Sequence, residues 1–177
     1  MTILNSCFSA FTPTPDIRSR DWFIANLFTH EDTGGRPYDD GAYPHIGAPG
    51  GPCDVLDDPH VENIILQWAS RLGKSFFGQS ASLYKAEVKP GPMMHANADE
   101  KTAKEVVQRT YGMMNNTRCL RKHLKPERRR RQDRVDFQRC KMYVAWARSV
   151  STLADKAVEF GHGGEIEVPR RRLQQDA

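Results

Sequence analysis

The stretch of residues 67–76 constrains the fold of this chain most, because it links an apolar run to a segment with helical character. It holds the tripeptide Gly73-Lys74-Ser75. Between a strand and a helix, such a tripeptide is the core of a phosphate-binding loop, in which backbone N–H groups and the lysine face the phosphates and the serine binds Mg²⁺. The usual loop has glycine where this chain has Trp68. Alone, Gly-Lys-Ser more often marks a turn with a solvated lysine. Because an apolar, strand-like run precedes it at 61–66, a phosphate-binding loop becomes as good an interpretation as a turn.

Length and charge set broad limits on the class of protein. With 177 residues the chain amounts to about one domain, and its net charge of +4 is compatible with nucleic-acid binding without requiring it. Basic residues are concentrated at 118–139 and 170–172. The sequence has neither a run of about 20 apolar residues nor a basic segment followed by an apolar core at its N-terminus. We therefore expect no membrane span, no signal peptide and a cytoplasmic location.

The four cysteines are far apart and form no CxxC pair; they are Cys7, Cys53, Cys119 and Cys140. This spacing predicts free thiols in a reducing compartment, and neither a disulfide framework nor a zinc site. The six histidines are equally scattered, so a metal site built from histidine and cysteine is not expected.

The first half of the chain predicts a helical and irregular lead-in followed by a strand and a helix. A helix is expected over residues 16–28, whereas 29–59 is too rich in glycine and proline for long elements. Aromatic residues within that segment indicate that it packs on something, as a loop beside a ligand would. Nearly continuous apolarity predicts a central parallel strand at 61–69, covered on both faces. A helix is expected over 74–86.

The second half predicts a short strand at 93–96 and then the best helical pattern of the chain. Asn97 and Glu100 have the spacing of a capping box. A helical stripe follows at Ala103, Val106, Val107, Thr110 and Met114. The helix is expected to end near residues 115–116, with Met113 and Met114 filling the core.

Beyond residue 134 the pattern changes to short strands. Residues 135–137 and 141–147 predict two strands that are antiparallel neighbours, and Ser149 or Ser151 is a candidate cap for a short helix. A final strand is expected at 157–162, although it contains Glu159 and His162, which are unusual in a buried parallel strand. This alternation of strands and helices predicts an α/β fold with its ligand at the carboxyl ends of the strands.

A basic segment at 118–134 contains four consecutive arginines: Arg128, Arg129, Arg130 and Arg131. Such a run is usually a solvated loop whose charges repel one another. The alternative is a contact with the DNA backbone, because clustered arginines neutralise phosphates and release counterions. No aromatic residues are interleaved, so stacking of single-stranded bases is not indicated.

Nucleotide hydrolysis at such a loop also needs a carboxylate that polarises the attacking water. The candidate phosphate-binding loop runs from Ser70 to Ser75, and Glu165 follows the last predicted strand. That position suits the water-polarising carboxylate, and from spacing alone it equally suits a solvent-exposed glutamate in a loop.

Residues Ser70-Arg71-Leu72-Gly73-Lys74-Ser75 resemble the deviant Walker A motif of tailed-phage large terminase subunits, in which an arginine or lysine in the loop replaces part of the glycine pattern. Flanking segments resemble the N-terminal ATPase part of the lambda-type terminase family. These are Tyr43-Pro44-His45, Asp57-Asp58-Pro59, Leu66-Gln67-Trp68-Ala69, Tyr143-Val144-Ala145-Trp146-Ala147 and Leu153-Ala154-Asp155-Lys156. The resemblance covers most of residues 16–167.

The resemblance implies a RecA-like P-loop NTPase of the ASCE class, with a parallel-sheet core at 61–167 that is incomplete at its C-terminus. Residues 1–60 would be a lead-in and 168–177 a disordered basic tail. The implied activity is ATP-driven, Mg²⁺-dependent translocation of double-stranded DNA into a viral capsid. Implied partners are the small terminase subunit, the portal of the procapsid and further copies of the chain, in the cytoplasm of a bacterial or phage-infected cell.

The resemblance also implies roles for single residues. Lys74 would contact the β- and γ-phosphates, Ser75 would bind Mg²⁺, and Arg71 would sense the γ-phosphate. Ser70, Leu72 and Gly73 would complete the nucleotide-binding loop, and Glu165 would be the catalytic glutamate. The family usually has aspartate before that glutamate, and this chain has Gly164.

Three alternatives follow from these departures. One is an inactive, truncated prophage remnant that retains nucleotide or DNA binding without turnover. Another is a different P-loop enzyme such as a small kinase, which Trp68 and the lack of a lid-like arginine segment disfavour. The third is a DNA-binding module that uses the basic segment, with an affinity that falls steeply with salt.

Overall fold

The structure is a computed structural model that describes residues 16–30, 34–69, 71–146 and 157–163. The helices in this part of the chain are α1 (Ser19–Asn26), α2 (Pro44–Gly47), α3 (Pro52–Asp57), α4 (Lys74–Val88) and α5 (Glu100–Asn116). The strands are β1 (Met93–Asn97), β2 (Arg134–Asp136), β3 (Lys141–Trp146) and β4 (Phe160–Gly163). Two 3₁₀ turns, Arg118–His123 and Glu127–Arg129, connect α5 to β2.

The four strands form one mixed sheet in the order β2-β3-β1-β4. Strand β1 pairs in parallel with both β3 and β4, while β2 and β3 form an antiparallel pair. The predicted α/β fold is therefore confirmed, as is the prediction that residues 135–137 and 141–147 are antiparallel neighbours. The predicted helix at 74–86 and strand at 93–96 are also confirmed, and the last strand is shorter than expected, at Phe160–Gly163.

Helices α1 and α4 meet in an aromatic core. Trp22 and Phe23 of α1 are buried against Tyr84, with ring centroids 5.9 and 6.4 Å apart and edge-on geometry. Phe23 also contacts Phe77 of α4 and Tyr38 of the glycine- and proline-rich segment. Edge-on aromatic pairs add to the stabilisation that burial of their large apolar area provides. This packing fixes α4 against the lead-in.

Helix α5 confirms the strongest prediction, and its cap corrects a detail. All five residues of the predicted stripe are buried, as are Met113 and Met114. The N-cap is Asp99, whose carboxylate accepts hydrogen bonds from the Thr102 N–H at 2.9 Å and from the Thr102 hydroxyl at 2.7 Å. Asn97 cannot be the cap because it is still in β1, paired with Trp146.

The predicted central strand at 61–69 is wrong. Residues 61–69 have no regular secondary structure, and the side chain of Ile65 is 81% exposed. Ile64, Leu66 and Trp68 pack against the core on one side only. The apolar run correctly indicates contact with the core, but a strand also needs a neighbour for its N–H and C=O groups. Among the described residues no strand lies alongside this segment.

Other predictions fall partly or wholly outside the described residues: the helix capped by Ser149 or Ser151, the tail at 168–177, and Cys7. Cys53, Cys119 and Cys140 are free thiols, and burial raises the pKa of each to about 11. In the described part of the chain, no helix combines the length and the apolarity needed to cross a membrane.

Candidate functional site

The segment before α4 turns sharply into that helix. Gly73 (φ 83°) and Arg71 (φ 65°) have left-handed backbone conformations, and Arg71 is the one non-glycine residue with positive φ among the described residues. This conformation is unfavourable for an L-residue by about 1–2 kcal/mol. Gly73 is the N-cap of α4 and supplies no side-chain hydrogen bond. Among the described residues, no side chain accepts a hydrogen bond from the first N–H groups of α4, which carry the positive end of the helix dipole.

Lys74 lies at the first position of α4, and its side chain turns back into the loop. Its Nζ donates a hydrogen bond to the carbonyl oxygen of Trp68 at 2.7 Å. The side chain is thereby held across the loop and is half-buried. An ammonium group has three protons, so Lys74 keeps further donors for an anion at the same place.

The remaining loop residues lie around Lys74 on the exposed side. Arg71, Leu72 and Ser75 are exposed, and Ser75 is the second residue of α4. A serine hydroxyl at this position supplies the oxygen ligand that Mg²⁺ prefers. The structure thus brings together five of the six predicted loop residues, while Ser70 and Glu165 lie outside the described residues. Those two remain predictions.

Two residues of the lead-in, His45 and Tyr43, support this loop from the outside. The sequence indicated only that the aromatic residues of this segment pack on something. His45 Nε2 and the carbonyl oxygen of Leu72 are 2.7 Å apart, so the ring donates its Nε2–H to the loop backbone. The same imidazole packs edge-on against Trp68, with ring centroids 4.6 Å apart. A Cβ atom on Gly73 would lie 3.2 Å from the ring of Tyr43. The backbone conformation therefore favours glycine at position 73, and a Cβ there would also crowd the Tyr43 ring.

Three nearly parallel rings connect this support to the first turn of α4. Tyr43 stacks on Phe76 with centroids 4.9 Å apart, and on Tyr38 with centroids 6.2 Å apart. Phe76 directly follows Ser75 in the chain. The signal for this contact was present in the sequence as aromatic residues within a glycine- and proline-rich segment. What the sequence could not show was the surface on which they pack.

The sheet places the carboxyl end of β4 towards the amino end of α4. Gly78, one turn beyond Lys74, contacts His162, and Lys85 lies over the ring of Phe160 at 6.0 Å. Because the later residue of the strand meets the earlier residue of the helix, the two elements run antiparallel. The carboxyl end of β4, at Gly163, therefore lies on the same side of the sheet as the loop that precedes α4.

The four arginines lie elsewhere, next to β2 at the sheet edge opposite β4. Arg130 is anchored: its guanidinium lies 5.2 Å from the centre of the Tyr111 ring and donates a hydrogen bond to the carbonyl oxygen of Lys125. Arg128, Arg129 and Arg131 are exposed. No ion pair joins these three to any other described residue. The run is thus a fixed basic surface, separate from the loop.

Acidic partners bind other basic side chains of this segment. Lys122 and His123 hydrogen-bond the carboxylate of Glu87, while Lys125 and Arg134 pair with Asp136. Burial opposes ionisation of both carboxylates, but the hydrogen bonds and charges of these partners outweigh it and lower both pKa values. In the part of the chain that the structure describes, no three histidine, cysteine or acidic side chains form a metal-binding group.

Comparison with models of protein families identifies residues 43–171 as matching the model described as phage terminase large subunit gpA, ATPase domain. The match begins at Tyr43, whose ring contacts the loop, includes α4, α5 and all four strands, and covers well over half of the chain. No curated protein and no solved structure matches the chain.

Proposed function

The chain belongs to the family of the phage terminase large subunit gpA ATPase domain, and from this premise we propose that it binds ATP with Mg²⁺ at residues 70–75 and hydrolyses it to drive packaging of double-stranded DNA. The loop would be a Walker A motif on a P-loop NTPase core. Its partners would be the small terminase subunit, the portal of a procapsid and further copies of this chain.

The observation that carries this proposal is the start of α4. An open helix N-terminus, a left-handed turn and the ammonium of Lys74 meet at one place, and each favours an anion. A single carboxylate would satisfy part of this arrangement. A polyphosphate has enough acceptor oxygens for the backbone N–H groups, for Lys74 and for Arg71 together.

Each residue has a defined part in the proposal. Lys74 would release the Trp68 carbonyl and donate to the β- and γ-phosphates, and Arg71 would contact the γ-phosphate. The hydroxyl of Ser75 fits Mg²⁺, an ion that neutralises phosphate charge when bound. Glu165 would accept a proton from the attacking water, so its carboxylate must stand at the loop end of β4.

Equilibrium binding of a fluorescent ATP analogue tests the site. We expect Lys74→Ala to weaken binding roughly 10- to 100-fold, because it removes a charge-assisted hydrogen bond to phosphate. Lys101→Ala is the matched control, since it removes the same charge from an exposed position on α5. Equal affinities of the wild-type chain and Lys74→Ala would reject the proposed site.

A second candidate is favoured by Gly164, which stands where the family usually has an aspartate before the catalytic glutamate. In this case the chain binds nucleotide or DNA without turnover. Release of inorganic phosphate distinguishes the two candidates. Turnover clearly above that of a Glu165→Gln variant supports the ATPase, whereas binding that depends on Lys74, with phosphate release equal to that of Glu165→Gln, supports the non-catalytic chain.

A further inference from the structure

Two histidines that the proposed mechanism does not use face each other between neighbouring strands. His95 of β1 and His162 of β4 are register partners, and their Nδ1 atoms are 3.0 Å apart. His95 is 1% exposed. At this distance one ring must donate its Nδ1–H and the other must accept it, because two protonated Nδ1 atoms would place two donors face to face. The pair therefore has a single proton between the two Nδ1 atoms.

The pair has an environment that keeps both rings uncharged. Burial lowers the pKa of His162 to about 4; for His95, burial first, and then the repulsion that a charge on His162 would exert, lower the pKa to about 3. Asn97, two residues beyond His95 on the same face of β1, is buried at the carboxyl end of that strand. The pair thus lies directly beneath the edge of the sheet that faces the loop.

Helix α4 rests on this pair at one glycine. A Cβ atom at Gly78 would overlap the imidazole of His162, so the ring lies against the helix backbone itself. Gly78 is one helical turn beyond Lys74 and three residues beyond Ser75. The position of the His162 ring consequently sets how closely β4 approaches the first turns of α4.

We propose that the hydrogen bond between His95 and His162 is a positioning contact that holds the first turns of α4 and the carboxyl end of β4 at a fixed separation. His162 is covalently part of the strand that precedes Glu165, and it is in contact with the helix that begins at Lys74. Through His95 it is tied to the middle of the sheet. The inference deepens the proposed function, on which its catalytic consequence rests, and both histidines act through other residues.

The test compares two substitutions of His162 in the full chain. His162→Leu fills similar space without a hydrogen bond, whereas His162→Asn places an amide near the former Nδ1 and can still pair with His95. Without nucleotide, we expect His162→Leu to accelerate amide exchange of residues 71–78 roughly tenfold, the effect of losing one partly buried hydrogen bond. His162→Asn should restore most of the protection.

His123→Asn is the matched control, because His123 is another hydrogen-bonded histidine inside the fold but lies beside Glu87, away from the loop. It should leave exchange at 71–78 unchanged. A purely structural role of His162 would instead raise exchange equally in β3 and α5. Uniform acceleration, or a His162→Asn variant no better protected than His162→Leu, would overturn the proposal.

The catalytic consequence is measured separately. We expect His162→Leu to lower phosphate release by roughly tenfold or more while the affinity for ATP changes little, since misplacement affects the transition state most. A parallel loss of affinity and turnover in His162→Leu would contradict the positioning role. If the wild-type chain binds no nucleotide, the proposed function fails, and the exchange experiment still decides whether the histidine pair positions the loop.

Discussion

Helices α4 and α5 are the two longest described helices, and they begin in opposite ways. At the start of α5, Asp99 accepts hydrogen bonds from the backbone and the side chain of Thr102. Both bonds lower the pKa of Asp99, and the bond from the backbone N–H has the larger effect. At the start of α4, Gly73 is left-handed and supplies no cap. The N-terminus of α5 is therefore satisfied by a side chain of the protein itself. The N-terminus of α4 retains N–H donors and a nearby ammonium group, as a site for an external anion requires.

The difference extends to how the helices are packed. An apolar stripe holds α5 against the sheet, so its stability depends mainly on buried area. Helix α4 also has an apolar side, but its first turns lie on the ring of His162, and the ring of its own Phe76 stacks on Tyr43. Polar and close-packed contacts of this kind define positions more narrowly than apolar contact does. We infer that α5 serves the fold and that the start of α4 serves the site.

The largest effect expected from ligand binding tests the two helix starts against each other. Saturating MgATP at about 100 times its Kd should stabilise the wild-type chain by about 2.7 kcal/mol. At the same MgATP concentration, Lys74→Ala should remove about half of that gain or more, while leaving the Tm without ligand nearly unchanged. Asp99→Ala should instead lower the Tm without ligand by a few degrees, because the helix loses its cap, and should leave the stabilisation by MgATP unchanged. Thermal melts with and without MgATP measure both. A ligand-induced gain lost equally in both variants would end the distinction.

The next effect concerns acid. Between pH 6.5 and 5, an unfolded chain protonates its histidines near pH 6.5, whereas folded His95 and His162 have pKa values of about 3 and 4. The unfolded state therefore binds more protons, and the free energy of unfolding falls as the pH drops, by up to ~1.4 kcal/mol per pH unit for each histidine. This stability is fully present above the unfolded pKa and lost as the pH falls towards the folded values. Most carboxylates stay ionised in this window.

Urea unfolding at several pH values measures this dependence. His162→Leu should show a clearly shallower decline, because one of the two depressed groups is removed. Hydrogen exchange at pH 5 should show α4 opening before α5, since the apolar stripe of α5 does not titrate. An equal slope in His162→Leu, or simultaneous opening of both helices, would show that the histidine pair does not distinguish them.

These contrasts also show what the sequence could and could not reveal. Helix α5 was predictable because its stripe and its end signals are local, and only the cap moved, from Asn97 to Asp99. The strand at 61–69 was predicted wrongly because apolarity reports contact with a core, whereas strand formation depends on a neighbour that no local pattern specifies. The exposed Ile65 marks that difference.

The site was predictable only where its residues are adjacent in the chain. Gly73, Lys74 and Ser75 stand together, and their chemistry follows from their spacing. The support from His45 reaches Leu72 across 27 positions, and His95 meets His162 across 67. Such contacts depend on strand register and helix packing. His162 was noticed only as an unusual residue for a buried strand, without its partner.

A smaller effect tests the strain at the start of α4. Gly73→Ala should destabilise the chain by about 1–2 kcal/mol, because alanine is unfavourable at positive φ and its Cβ would crowd Tyr43. Gly161→Ala is the control, since no atom lies within 4 Å of a Cβ at that position. Chemical denaturation measures both. Equal stabilities of the two variants would show that the loop adjusts to a Cβ at position 73, and that neither its backbone conformation nor the Tyr43 ring demands glycine there.

The smallest effect concerns the basic surface fixed on α5 by Arg130 and Tyr111. We expect Arg128, Arg129 and Arg131 to contact phosphates of double-stranded DNA, so replacing all three by alanine should reduce the slope of log K against log salt by about 3. The control removes three positive charges from the exposed face of α5, as Lys101→Ala, Lys104→Ala and Arg109→Ala. Two of these, Lys104 and Arg109, already pair with glutamates. Fluorescence anisotropy across a salt series measures both slopes; an equal change in the two triple variants would mean that net charge, and not this surface, attracts DNA.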